Sequence, residues 1–111
     1  MVVDNNNIRE HIENIIKDDN EDYKSGGELD IAYWDTSRVT NMNKLFYESK
    51  FNGDISRWDV SNVTDMSYMF YASPFDQDIS KWNVSNVIRM DGMFTDSQMN
   101  NIPKWYPKNI Q

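Results

Sequence analysis

Aspartates recur in this sequence at a spacing that could hold cations. Asp30, Asp54 and Asp78 stand 24 residues apart, and Asp35, Asp59 and Asn83 keep the same step. If copies of one unit stack, the members of each set become neighbours about one strand spacing (~4.8 Å) apart. Carboxylates that close repel each other unless something compensates. A row of Ca²⁺ ions would do so, since hard cations take oxygen ligands. A local alternative is that each carboxylate accepts N–H groups of its own turn. The spacing matches no EF-hand loop, so the local alternative is expected and no metal is assigned.

Other chemistry is thinly supplied. The chain has one histidine, His11, and no cysteine, which removes thiol nucleophiles, disulfides and Cys-ligated zinc. Ser37, Ser61 and Ser85 repeat with the 24-residue step, as structural residues do and as a unique nucleophile would not. No GxSxG elbow or phosphate loop occurs, and only four glycines exist to build one. The expectation is a non-enzymatic protein without a cofactor.

The elements that would position these residues follow from the repeat itself. Trp34, Trp58 and Trp82 share the 24-residue step with Phe46, Phe70 and Phe94, with Met42, Met66 and Met90, and with Val39, Val63 and Val87. Ile31, Ile55 and Ile79 precede the tryptophans, and Ser49, Ser73 and Ser97 follow the phenylalanines. Asn101, Ile102 and Trp105 echo the start of a fourth copy. Such a period predicts a solenoid whose copies bury their apolar edges against each other, with these Trp, Phe and Met columns as its core. Trp58 and Val60 alternate like a strand, whereas Val63, Met66, Met69 and Phe70 keep helical spacing. Ser61 is placed to cap backbone N–H groups at the junction, and Ser73-Pro74 ends the helical piece. The predicted fold is therefore α/β: a short solenoid of three to four strand–helix repeats with an N-terminal capping helix.

Residues 1–29 form the predicted cap and its connection. Asn5, Asn6 and Asn7 offer N-cap side chains, and Ile8, Ile12, Ile15 and Ile16 make an amphipathic stripe. The acidic run Asp18–Asp22 reads as a solvated helix end, and Lys24-Ser25-Gly26-Gly27 as a turn. Residues 30–100 hold the three repeats. Residues 101–111, with Pro103 and Pro107 around Trp105-Tyr106, would close the stack within the same single domain.

Composition narrows the partners. With 11 basic and 18 acidic residues in 111, the formal charge is −7, which argues against nucleic acid and anionic membranes. The acidity is concentrated: residues 1–30 hold nine acidic and three basic side chains, leaving the repeats nearly neutral. An aromatic content of 14% separates the chain from disordered sequences. The sequence shows no signal peptide, lipid-attachment motif or membrane-spanning run. A soluble protein, intracellular or virion-associated, is the expectation.

The segments WDVSNVTDMSYMFYASPFDQDIS and KWNVSNVIRMDGMF resemble the BspA-like, Mycoplasma surface-lipoprotein type of repeat, a relative of the leucine-rich repeats. DIAYWDTSRVTNM after an N-terminal helix is similar to the lead-in of that family. The third copy departs from it: Ile88 replaces the Thr of Thr40 and Thr64, Asn83 replaces Asp, and Gly92 enters the predicted helical piece. The resemblance implies a leucine-rich-repeat-like solenoid acting through protein contacts, in a family found on bacterial surfaces, in large DNA viruses and in protists.

Binding then belongs to the positions that packing leaves free. Tyr33, Arg57 and Lys81 flank the tryptophans, and Tyr47, Tyr71 and Thr95 follow the phenylalanines. Tyr and Arg are favoured at interface hot spots. The functional expectation is a protein-interaction or self-assembly module, in one version a minor structural component of a large DNA virus. The alternative is a cation-dependent, adhesin-like module of a bacterial surface.

Overall fold

In the computed structural model, residues 1–17 and 30–108 are described. The predicted turn at Lys24-Ser25-Gly26-Gly27 and the acidic run Asp18–Asp22 lie outside the described residues. The regular elements are helix α1, Ile8–Lys17, and a 3₁₀ turn, Asp30–Tyr33. Three isolated parallel bridges join Val2 to Asp35, Asn41 to Asp65 and Asp65 to Arg89. No named strand and no sheet occur among the described residues.

Helix α1 is started by Asp4. Its Oδ1 accepts the N–H groups of Asn6 (2.9 Å) and Asn7 (3.1 Å), and Asn7 Oδ1 accepts the Asp4 N–H (2.9 Å). These bonds satisfy amides that have no partner inside the helix. The cap thus falls at Asp4, just before the expected Asn5–Asn7, with Asn7 bonding back to it, and Asn5 is released for another task. Ile8 and Ile12 are buried, and Ile15 and Ile16 pack half-buried against the core.

The core consists of columns at the repeat spacing. Trp34 stacks on Trp58 with ring centroids 6.3 Å apart, and Trp82 on Trp105 at 6.4 Å. Phe46, Phe70 and Phe94 stack at 5.6 and 5.7 Å, and Phe51 on Phe75 at 6.2 Å. Met42 and Met66 are fully buried, while Met90 is half-buried near the end of the column. A buried Phe or Met supplies roughly 1.5–3 kcal/mol of transfer free energy, so these columns carry most of the apolar drive. Three of the four tryptophans also donate Nε1–H to a carbonyl one copy earlier: Trp58 to Ile31 (2.7 Å), Trp82 to Ile55 (3.2 Å) and Trp105 to Ile79 (3.0 Å). The indole donor, costly to bury alone, thereby locks the register of the copies.

The strand–helix unit predicted for each copy is not what forms. Leu45, Tyr47 and Ser49 donate to the carbonyls three residues back, which marks successive tight turns. Between them Met42, Lys44, Phe46 and Glu48 donate to Asp65, Ser67, Met69 and Tyr71 in the next copy, at 2.8–3.0 Å. Met66, Tyr68, Phe70 and Ala72 do the same toward Arg89, Asp91, Met93 and Thr95. Alternate amides thus serve the local turn and the neighbouring copy. Residues in the left-handed region make this possible: φ is +56° at Lys44, +54° at Glu48, +56° at Tyr68, +52° at Ala72, +66° at Gly92 and +57° at Asp96. A helix would have consumed all these amides internally and left nothing to join the copies. Ser61 is likewise a donor to its turn, not a cap.

Candidate interaction surface

The aspartate columns are built into turns. Asp35 Oδ1 accepts the N–H of Ser37 (3.0 Å) and its hydroxyl (2.6 Å), and Asp59 receives Ser61 in the same way. Asn83 accepts the Ser85 N–H (3.1 Å), and Asp54 and Asp78 accept those of Ser56 and Ser80 (2.9 Å each). A third column, absent from the sequence reasoning, is Asn41 to Asn43 and Asp65 to Ser67. Hydrogen bonds from Ser37 and Ser61, hydroxyl first, hold Asp35 and Asp59 below the usual carboxylate range. Backbone donation from Ser56 does so for Asp54, and the Ser80 hydroxyl for Asp78. At Asp65 burial pushes upward, but donation from Ser67 and Asn43 outweighs it. Among the described residues no group of three or more acidic or His side chains converges as a metal site would require.

The candidate binding residues fall into separate groups. Tyr47 and Tyr71 stack with ring centroids 4.8 Å apart and planes 12° from parallel. Tyr68 meets Tyr71 edge-on at 6.0 Å, and Lys44 Nζ lies 5.5 Å from the Tyr47 ring. These four residues line a shallow trough of about 320 Å³. Burial beside its neighbours, with Glu48 next, raises the Tyr47 phenol above its ordinary range. Elsewhere Arg57 lies 5.0 Å over the ring of Tyr33, which is 65% exposed. Lys81 is exposed beside a polar cleft of about 370 Å³ with Asp54, Ser56 and Asp78. Thr95 is exposed and carries no ring to extend the tyrosine pair. His11 packs near Trp34, at 5.9 Å between rings.

Lys44 and Tyr68 were not singled out from the sequence. Their signal is their shared place in the copies, two residues before the core phenylalanine, with Gly92 third. A Cβ built on Gly92 would overlap Tyr68 Cε1 and Cδ1. Glycine therefore clears the floor on which the Tyr68 ring rests.

The N-terminal segment also makes contacts with the first copy that the sequence did not foretell. Asn5 Oδ1 accepts the N–H groups of Thr40 (3.0 Å) and Asn41 (3.2 Å), and Arg9 Nη1 donates to the Asn43 carbonyl (2.6 Å).

Stacked aromatic columns, register-locking indoles and a recurring turn geometry among the described residues mark a repeat architecture. A family model described as "Mycoplasma protein of unknown function, DUF285" matches residues 13–111, and the chain belongs to that family. No curated protein and no solved structure matches it. No helix among the described residues is long and apolar enough to cross a membrane.

Proposed function

We propose that this chain is a non-enzymatic repeat module that works by protein contact. Its copies make a short leucine-rich-repeat-like solenoid in which turns replace the usual helices and strands. The reading rests on the tyrosine trough: two stacked phenol rings, a third ring set edge-on and an ammonium group, all on one turn surface. Tyrosines give large contact area at low conformational cost, and the adjoining lysine adds charge complementarity. The BspA-like resemblance supports the same reading. The aspartates, engaged by their own serines, favour contact through this trough over the cation-dependent adhesin alternative.

Affinity capture from the source cells tests the proposal. The wild-type chain is compared with the double variant Tyr47→Ser/Tyr71→Ser, both checked for folding by circular dichroism. A saturable partner retained by the wild type and lost by the folded variant is the expected result. Equal capture by both, or none, contradicts the proposal.

A further inference from the structure

Registered stacking of the copies brings two oxidisable rings together at the surface. Tyr47 and Tyr71 hold the same position in the first and second copies. Their ring centroids are 4.8 Å apart and their planes 12° from parallel. The backbones beneath them are fixed: Phe46 donates to the Met69 carbonyl at 2.9 Å, and Glu48 to that of Tyr71 at 2.8 Å. The bridge between these copies is parallel. A parallel, in-register stack sets like atoms opposite like, so an ortho carbon of one phenol faces an ortho carbon of the other. Both rings are within reach of solvent, Tyr47 at 39% exposure and Tyr71 half-buried.

The other described tyrosines differ in geometry. Tyr68 meets Tyr71 at 69° and 6.0 Å, which aims an edge at a face and keeps the ortho carbons from lying side by side. Tyr33 is the most exposed, but its ring is paired with the Arg57 guanidinium. Tyr106 is buried and stands edge-on to Phe94. Among the described residues, Tyr47 and Tyr71 are the one stacked pair of phenols.

We propose that Tyr47 and Tyr71 form a site of oxidative cross-linking, closed into a dityrosine when a haem peroxidase and hydrogen peroxide act on the chain. Each phenol gives up one electron and its hydroxyl proton. The unpaired electron of each radical is shared with the ring carbons ortho to oxygen. Two facing ortho carbons join in a new C–C bond, and the hydrogen on each then moves to its own oxygen to restore the phenol. Hydrogen peroxide takes up the two electrons and two protons and leaves as two molecules of water. Because the fold holds the rings together, the coupling is unimolecular and outruns coupling between molecules in dilute solution. The bond ties the first copy to the second. It does not rest on the contact reading of the trough, since it concerns the free chain.

The test treats the folded full chain, in dilute solution, with a haem peroxidase and limiting hydrogen peroxide. The expected product is a monomer lighter by two hydrogen atoms, with dityrosine fluorescence. Its tryptic digest is expected to hold fragment 45–50 joined to fragment 58–81. Tyr47→Phe and Tyr71→Phe are each expected to lower the yield of that joined fragment roughly tenfold or more, because each removes one of the two aligned partners. Tyr68→Phe is expected to leave the yield unchanged. In urea the joined fragment is expected to give way to mixed and intermolecular links. The cross-linked chain is expected to melt about 10 °C above the equally treated Tyr71→Phe chain, since the bond closes a loop in the unfolded state. The inference is overturned if dimers dominate, if the links fall on other tyrosines, or if the joined fragment persists in Tyr71→Phe. It is also overturned by an equal yield in urea, or by a cross-linked chain that melts no higher than that control.

Discussion

The side-chain oxygen of Asn5 holds toward Thr40 the place that the Thr40 carbonyl holds toward Thr64. Asn5 Oδ1 accepts the Thr40 N–H at 3.0 Å, and Thr40 O accepts the Thr64 N–H at 2.8 Å. The likeness extends further: Asn5 Oδ1 also takes the Asn41 N–H, as the Thr64 carbonyl takes both Ile88 and Arg89. Arg9 stands in for the amide donors of a preceding copy. The N-terminal segment thus imitates a repeat with side chains.

Removing that imitation costs stability. Asn5→Ala leaves two amides to solvent and is expected to lower stability by about 1 kcal/mol, in the range of helix-cap deletions. Asn5→Asp keeps the acceptor and is expected to cost less. Arg9→Ala is expected to cost about 1 kcal/mol, discounted for exposure. Urea unfolding with an unchanged slope measures each.

Trp58→Phe keeps an aromatic ring in the column but deletes the Nε1 donor to the buried Ile31 carbonyl. The expected loss is about 1–3 kcal/mol for the orphaned acceptor, beyond what repacking of the smaller ring adds. Trp105→Phe, at a half-buried position, is expected to cost less. Thermal melts of both variants give the ordering; equal losses would contradict a register-locking role for the buried indole.

Much of this was legible in advance, and the part that was not has a specific cause. The columns Trp34–Trp58–Trp82 and Phe46–Phe70–Phe94 were plain because burial demands the same side chain at each step. The turns were hidden because Met66, Met69 and Phe70 carry the spacing of a helix face, which successive tight turns also produce. Left-handed residues usually announce themselves as Gly or Asn. Here Lys44, Glu48, Tyr68 and Ala72 take that conformation, so only Gly92 and Asp96 carried a hint. The local role of the aspartates was readable from Asp-x-Ser spacing. The roles of Asn5 and Arg9 were not, since each depends on a partner more than 30 residues away.

The left-handed positions give opposite predictions. Ala72→Gly removes Cβ strain at an exposed site and is expected to stabilise by roughly 0.5 kcal/mol after the entropy of glycine is deducted. Gly92→Ala adds both strain and an overlap with the Tyr68 ring, and is expected to cost more than about 1 kcal/mol. In a double-mutant cycle, Tyr68→Ala is expected to recover part of that loss. Strict additivity of the two substitutions would remove the ring from the account.

Acid is expected to weaken the fold through the turn carboxylates. Asp35, Asp54, Asp59, Asp65 and Asp78 all have folded-state values below those of the unfolded chain. Their contribution is therefore present above the unfolded value, about 3.9, and is lost as pH falls through the lower folded values. Tm is expected to drop from about pH 4 downward because of these groups. Asp59→Asn copies the natural Asn83 turn, keeping the acceptor without the proton. It is expected to lower Tm near pH 7 slightly and to reduce the acid-induced loss by the same amount, as differential scanning calorimetry across pH would record.

Native-state amide hydrogen exchange tests the central relationship most directly, namely that alternate amides join the copies, while the third copy's row has no partner among the described residues. The amides of Met42, Lys44, Phe46, Glu48, Met66, Tyr68, Phe70 and Ala72 are predicted to be protected, and those of Met90, Gly92, Phe94 and Asp96 to exchange rapidly. Equal protection of all twelve, as a helix in each copy would give, or equally rapid exchange of all twelve, contradicts the account.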